Sequence, residues 1–180
     1  MYGGLPSQRQ RYRRVRKVML VRKIISGGQS GADVGGLLAA WDLGIRTGGW
    51  APKGWLTKRG PNPQLGILFG LVEHPSAFYP PRTAANIRDS TATVIFADEL
   101  DKGSKLTARL CTNTHKPFIH ICAFDDNRFT ELVSFLRELS AGLIFDPTFI
   151  LNVAGNRESR WHGIGDNVRR FLGGVIKELN

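Results

Sequence analysis

The sequence predicts a single α/β domain: a Rossmann-like, doubly wound, mainly parallel sheet flanked by helices. Three observations carry this expectation. Short apolar runs alternate with amphipathic stretches along the chain, the pattern of successive βαβ units. Runs such as Ala92–Ala97 are apolar throughout instead of alternating, as strands covered on both faces are. Three strand ends run straight into small and polar residues, where open α/β sheets bind their ligands.

Taken in order, Val18–Ile25 reads as the first strand and Ala32–Leu43 as the helix after it. Ile45–Trp50 is a short extended segment, and Ala51–Glu73, rich in Pro and Gly, is expected to be irregular. Arg82–Ser90 reads as a short helix, then Ala92–Ala97 as a strand and Ser104–Asn113 as a helix. Pro117–Ile121 is a strand, Phe129–Glu138 a helix, Phe149–Ala154 the last strand and Asp166–Leu179 the last helix. Right-handed crossovers between such strands give the doubly wound arrangement.

A chain of 180 residues suits one domain with a proper core. Its net charge of +10 is unevenly placed. Residues 1–23 hold eight basic groups and no acid, whereas the remaining 157 hold 17 basic and 15 acidic groups. Residues 1–18 therefore read as a basic, disordered extension, and 19–180 as the folded domain. Binding to nucleic acid is expected only through residues 1–18. No apolar run reaches the roughly 20 residues needed to cross a bilayer, so no membrane partner is expected. The basic head lacks the apolar stretch of a signal peptide. Cys111 and Cys122 form neither a disulfide framework nor a metal spacing, and a cytoplasmic location follows as the default. The four histidines show no ligand spacing either.

The motif with most chemistry is Ser26-Gly27-Gly28-Gln29-Ser30-Gly31 between the first strand and helix. Glycines let a backbone bend tightly and approach a ligand. The first N–H groups of a helix are unpaired, and its dipole favours an anion there. Gly27, Gly28, Gln29, Ser30 and Gly31 are thus candidate phosphate binders. The spacing is neither a Walker A loop nor G-x-G-x-x-G. Asp33 lies in the first helical turn, suited either to stabilising the helix start or to orienting a ligand. Gly103, Ser104 and Thr107 form a second candidate anion turn, with Ser104 equally suited to be an N-cap. Lys53 is a candidate anion neutraliser in a turn. Trp50 suits stacking or packing. Arg82, Thr83 and Asn86 share one face of their helix. Arg157, Glu158 and Ser159 follow the last strand.

Four separated segments carry a resemblance: Ile-Ile-Ser-Gly-Gly-Gln-Ser-Gly-Ala-Asp33, Thr47-Gly-Gly-Trp-Ala-Pro-Lys-Gly54, Tyr79-Pro-Pro-Arg-Thr-Ala-Ala-Asn-Ile-Arg-Asp-Ser90 and Leu151-Asn-Val-Ala-Gly-Asn-Arg-Glu-Ser159. From about Arg22 onward the chain resembles the molybdenum carrier family, the circularly permuted branch of the SLOG superfamily of Rossmann-like nucleotide-binding proteins. The resemblance implies a carrier of a phosphorylated heterocycle, either molybdenum cofactor (molybdopterin) or a nucleotide. It raises Arg82 as a phosphate contact and suggests a homo-oligomer, a dimer or tetramer. Two departures bear on function. The family often has Cys where this chain has Ala51, which weakens a metal contact there. Nucleotide-cleaving relatives place a Glu after a Gly-Gly-x-Gly-Thr loop, and no carboxylate follows Thr107 here. Binding is therefore expected over catalysis. Asp33 and Glu158 are the acid and base candidates of an alternative nucleotide hydrolase, and a nucleotide sensor or sponge is a further alternative.

Overall fold

The computed structural model describes residues 20–58, 60–142 and 148–179. The basic stretch 1–18 and Met19 lie outside the described residues. The apolar, β-branched run expected first in the chain forms β1 (Val21–Ser26), whose Ile24, Ile25 and Ser26 are all buried. Helix α1 (Ala32–Asp42) follows the glycine turn and buries Leu37, Ala39 and Ala40. β2 (Arg46–Gly48) and β3 (Trp50–Ala51) come next, then a single 3-10 turn at Lys53–Trp55.

The stretch expected to be irregular holds more order than its composition suggests. β4 (Leu56–Thr57) and β5 (Gly60–Pro61) make a small antiparallel hairpin. α2 (Gln64–Phe69) is a short helix, and β6 (Val72–Glu73) pairs in parallel with β3. This segment folds over its own small core of Leu37, Ala51, Leu65, Phe69 and Leu71.

α3 (Tyr79–Arg88) starts three residues before the expected Arg82, with Pro80 and Pro81 in its first turn. Proline costs nothing there, because those N–H groups have no partner in a helix anyway. β7 (Ala92–Phe96) is buried at every position. α4 (Lys102–Asn113), β8 (Phe118–Ile121), α5 (Asp126–Ala141), β9 (Phe149–Gly155) and α6 (Ile164–Leu179) complete the chain. α5 begins three residues early because the Asp125 side chain accepts from the Arg128 N–H, a cap that stabilises a helix start.

The central sheet has five strands in the order β2-β1-β9-β7-β8, all parallel, with helices packed around it. The last strand therefore lies in the middle, between β1 and β7. α1, α5 and α6 pack side by side, and α3 packs on α4. The main core joins Ile24, Val94, Phe96, Leu132, Leu151 and Leu172 from sheet and helices. Among the described residues no helix is long and apolar enough to cross a membrane.

The turn after β1 and the loop after β9 meet almost without clearance. The Ala32 N–H donates to the Asn156 carbonyl at 3.1 Å, and the Glu158 N–H to the Ser30 carbonyl at 3.3 Å. Gly31 has φ +96°, and a Cβ there would lie 2.5 Å from the Glu158 nitrogen. Gly31→Ala is therefore expected to lower the unfolding free energy by about 2–4 kcal/mol through backbone strain and forced separation of the loops. Gly44 also has positive φ, +66°, but open space around it, and Gly44→Ala should cost only about 1 kcal/mol. Urea unfolding followed by circular dichroism reads both; equal losses would show that the loop contact contributes nothing.

Candidate functional site

Because β1, β9 and β7 run side by side in one direction, their C-terminal ends open on one edge of the sheet. A cavity of about 490 Å3 lies there, walled by the turn after β1, the start of α3, the start of α4 and the end of β9.

The turn after β1 does not offer its amides freely to that cavity. The Gly28 N–H donates to Ser26 Oγ at 3.2 Å and the Gln29 N–H to Asp33 Oδ2 at 3.2 Å. Of the five candidate loop residues, Gly27 and Gln29 line the cavity. Gly28, Ser30 and Gly31 line a second cavity of about 500 Å3 instead. Asp33 thus serves the helix start by holding the loop, and it also lines the first cavity.

Asp33 and Arg82 are both buried, and Arg82 Nη1 lies 3.7 Å from Asp33 Oδ2. Burial pushes the Asp33 carboxyl above its ordinary pKa, against the lowering pull of Arg82. Burial likewise lowers the Arg82 pKa, and Asp33 opposes it. Gly27 makes this approach possible: a Cβ there would lie 1.3 Å from Arg82 Nη1. The guanidinium rests where any other residue would put its side chain. Arg82 Nε and Gln29 Oε1 are buried without a hydrogen-bond partner among the described residues; the Gln29 Nε2 donates to the Leu56 carbonyl at 3.0 Å.

A second guanidinium stands close by. Arg82 Cζ lies 5.5 Å from the centroid of the Tyr79 ring, and Arg157 Cζ lies 5.3 Å from the same centroid. Arg157 lines the cavity too. This end of the cavity therefore carries two cations against one buried carboxylate, a field suited to an anion.

At the other end, the Asp101 carboxylate caps α4 by accepting from the Ser104 N–H at 2.8 Å. Asp101, and not Ser104, is the N-cap. Ser104 and Thr107 are buried and line the cavity beside the exposed Gly103. Ser104 Oγ donates to Asn156 Oδ1 at 3.4 Å, and Thr107 Oγ1 to the Gly103 carbonyl at 3.1 Å.

The remaining candidates divide. Thr83 and Asn86 line the cavity. Asn86 also grips the Trp50 backbone, accepting from its N–H at 2.8 Å and donating to its carbonyl at 3.2 Å. Trp50 packs away from the cavity, its Nε1 donating to Asp89 Oδ2 at 2.7 Å. Lys53 is exposed and does not line the first cavity. Glu158 lines the second cavity, where its carboxylate accepts from the Gly163 and Gly165 N–H groups at the start of α6. Asp33 and Glu158 are thus not brought together in one cavity. Ala51 sits in the small apolar core, away from the first cavity. Cys111 and Cys122 are both free and line neither cavity. Among the described residues no group of three or more His, Cys, Asp or Glu is placed to hold a metal ion. Sequence reasoning missed Tyr79, Lys102 and Asn152, which line the cavity. Asn152 was detectable as a lone polar side chain in a buried strand; its Nδ2 donates to Thr93 Oγ1 at 3.1 Å.

Comparison with known proteins places this geometry among relatives. Residues 24–176 match the profile of the circularly permutated YpsA SLOG family. The chain is similar to a crystal structure of a "Putative molybdenum carrier protein" from Syntrophus aciditrophicus SB. The identity is 32% and the TM-score 0.73, over 87% of this chain and 95% of the other. No curated protein matches the chain.

Two expected outcomes follow from the site's geometry. Asn86→Ala removes two hydrogen bonds from a buried clamp and should cost about 2 kcal/mol, read by urea unfolding; an unchanged midpoint would show that the Trp50 backbone is held otherwise. The second concerns pH. Burial raises the folded pKa of Asp33 above its unfolded value, so ionising it costs more in the folded protein than in the unfolded chain. Relative to Asp33→Asn, the wild type should lose stability as pH rises through that raised pKa. Unfolding of both proteins from about pH 4 to pH 8 reads this, a window starting near the ordinary carboxylate range. Stability curves that stay parallel would refute it.

Proposed function

This chain belongs to the circularly permutated YpsA SLOG family, and from that premise we propose that it binds and carries a phosphorylated heterocycle, molybdenum cofactor or a nucleotide. The observation that carries the reading is the pair of guanidiniums, Arg82 and Arg157, converging on a cavity at the C-terminal edge of a parallel sheet. A guanidinium matches phosphate oxygens in charge and in fork geometry. A cavity of about 490 Å3 is within the size range of small-molecule sites. The buried hydroxyls of Ser104 and Thr107 at the α4 end suit the heteroatoms of a heterocycle.

Molybdopterin fits at its phosphate end. No thiol lines the cavity, so these residues offer a bound metal no soft ligand, and the protein's grip is on the phosphate and the pterin ring. Carriage requires binding without turnover. The separation of Asp33 from Glu158 favours that over acid–base catalysis by the two. We also assign the protein to a homo-oligomer, dimer or tetramer, a reading supported by the exposed Trp41, Ile67, Leu68 and Val72.

Mass spectrometry of whatever co-purifies, with metal analysis of the same sample, tests the reading directly. A pterin phosphate or nucleotide is expected, one per chain. Arg82→Gln should then weaken its binding by at least about tenfold, the loss of one charged hydrogen bond of about 1.5–3 kcal/mol. A protein that binds no nucleoside monophosphate and no pterin phosphate at millimolar concentration would end the proposal.

One observation favours a second reading. Asp33 is a buried, cavity-lining acid whose pKa is raised, as a general acid's is. A nucleotide hydrolase would then form product from a nucleoside monophosphate panel and lose that activity in Asp33→Asn. Absence of product across the panel would remove this alternative.

A further inference from the structure

In each turn that a phosphate would use, one of the protein's own carboxylates already takes an amide. Asp33 takes the Gln29 N–H in the turn after β1. Asp101 takes the Ser104 N–H at the start of α4. Ser26 Oγ takes the Gly28 N–H. An incoming anion meets these amides with their hydrogen bonds already made, and beside like charge. The full positive charges at this end of the cavity lie on side chains, Arg82 and Arg157.

Those side chains are held in an unusual way. Arg82 comes from α3, three residues after Tyr79 and so on the same helix face. Arg157 comes from the loop after β9. The two like charges repel, and the Arg157 charge counts against that of Arg82. One aromatic ring keeps both in place: Arg82 Cζ at 5.5 Å and Arg157 Cζ at 5.3 Å from the Tyr79 centroid, within the range at which a ring face attracts a cation. Arg157 makes no salt bridge among the described residues. Its charge acts on the buried Asp33 carboxyl without a direct ion pair.

We propose that Tyr79 is a positioning residue that holds Arg82 and Arg157 as a two-armed clamp for one dianionic phosphomonoester, so that the phosphate is gripped by guanidiniums and not by the glycine loop. This rests on reading the cavity as the site of a phosphorylated ligand. Two cations facing one carboxylate favour a terminal monoester with two negative charges. A phosphodiester, with one charge spread over two terminal oxygens instead of two charges over three, gains far less. Tyr79 itself need not touch the ligand.

The test compares methyl phosphate with dimethyl phosphate by calorimetry at about pH 8, where the monoester is a dianion and the diester a monoanion. Wild type should prefer the monoester by about tenfold or more. Tyr79→Leu should weaken monoester binding by about tenfold and collapse that preference, while Tyr79→Phe, which keeps the ring, should stay within about threefold of wild type. Arg157→Gln, at a half-buried residue without an ion pair, should repeat the loss and covers the case in which Tyr79→Leu fails to fold. A wild type that binds both probes alike, or neither, overturns the clamp, as does a folded Tyr79→Leu that keeps the preference. The two proposals fail separately. A co-purified heterocyclic phosphate whose binding ignores Tyr79→Leu overturns the clamp and leaves the carrier reading. Methyl phosphate bound with the expected preference, but no heterocyclic phosphate bound, does the reverse.

Discussion

The buried carboxylate of Asp33 is the constraint around which this end of the molecule is arranged. A charge out of water must be paired and hydrogen-bonded. Asp33 meets that need with the Gln29 N–H and the Arg82 guanidinium. Each partner brings a further requirement. The Gln29 contact sets the shape of the glycine turn. The Arg82 contact requires a bare backbone at Gly27 and fixes how α3 lies across the strand ends. Asn86, one turn further along α3, then fastens the same helix to the Trp50 backbone. One carboxylate thus couples the first turn, the third helix and the segment after β2.

This coupling changes what the glycine turn is for. A turn between a parallel strand and a helix normally keeps its amides for an anionic ligand. Here the Gly28 and Gln29 N–H groups close on internal acceptors, and two glycines serve clearance: Gly27 for a guanidinium, Gly31 for the loop after β9. Electrostatic work passes to long side chains arriving from elsewhere in the chain. Arginine suits that task, since it keeps its charge when buried and binds planar oxyanions through a fork. The family relationship supports a ligand-binding role, and the guanidiniums give that cavity a field suited to an anion.

Much of the fold was legible because it is written in local pattern. The four expected strands and the helices between them all appear, since buried parallel strands are apolar throughout and stand out from amphipathic helices. What was missed had a physical reason in each case. α2 hides among Pro61, Pro63, Gly66 and Gly70, where six helical residues are too few to show a period. The early start of α3 was masked by Pro80 and Pro81, which read as breakers although a first turn tolerates them. The start of α4 depended on which of two capping side chains, Asp101 or Ser104, engages the backbone. At the site, Gly27, Gln29, Arg82, Thr83, Asn86, Ser104 and Thr107 all reach one cavity. Tyr79 escaped notice because its partner Arg157 lies 78 positions away in sequence. Contacts of that separation leave no periodic trace. Lys53 shows the converse, a basic residue in a recognisable motif that the fold turns to solvent.

The position of β9 between β1 and β7 has a consequence for how the chain is made. During synthesis β1, β7 and β8 leave the ribosome before the strand that joins them. Until Phe149–Gly155 emerges, β1 and β7 each present an unpaired edge in an apolar run. At translation speeds of about 5–20 residues per second, that interval lasts on the order of seconds. Open apolar edges are templates for pairing with other chains, so the nascent protein is most exposed to aggregation just before its sheet closes. The same arrangement makes closure cooperative: one late strand zips both halves together and, in the same event, carries Arg157 to Tyr79.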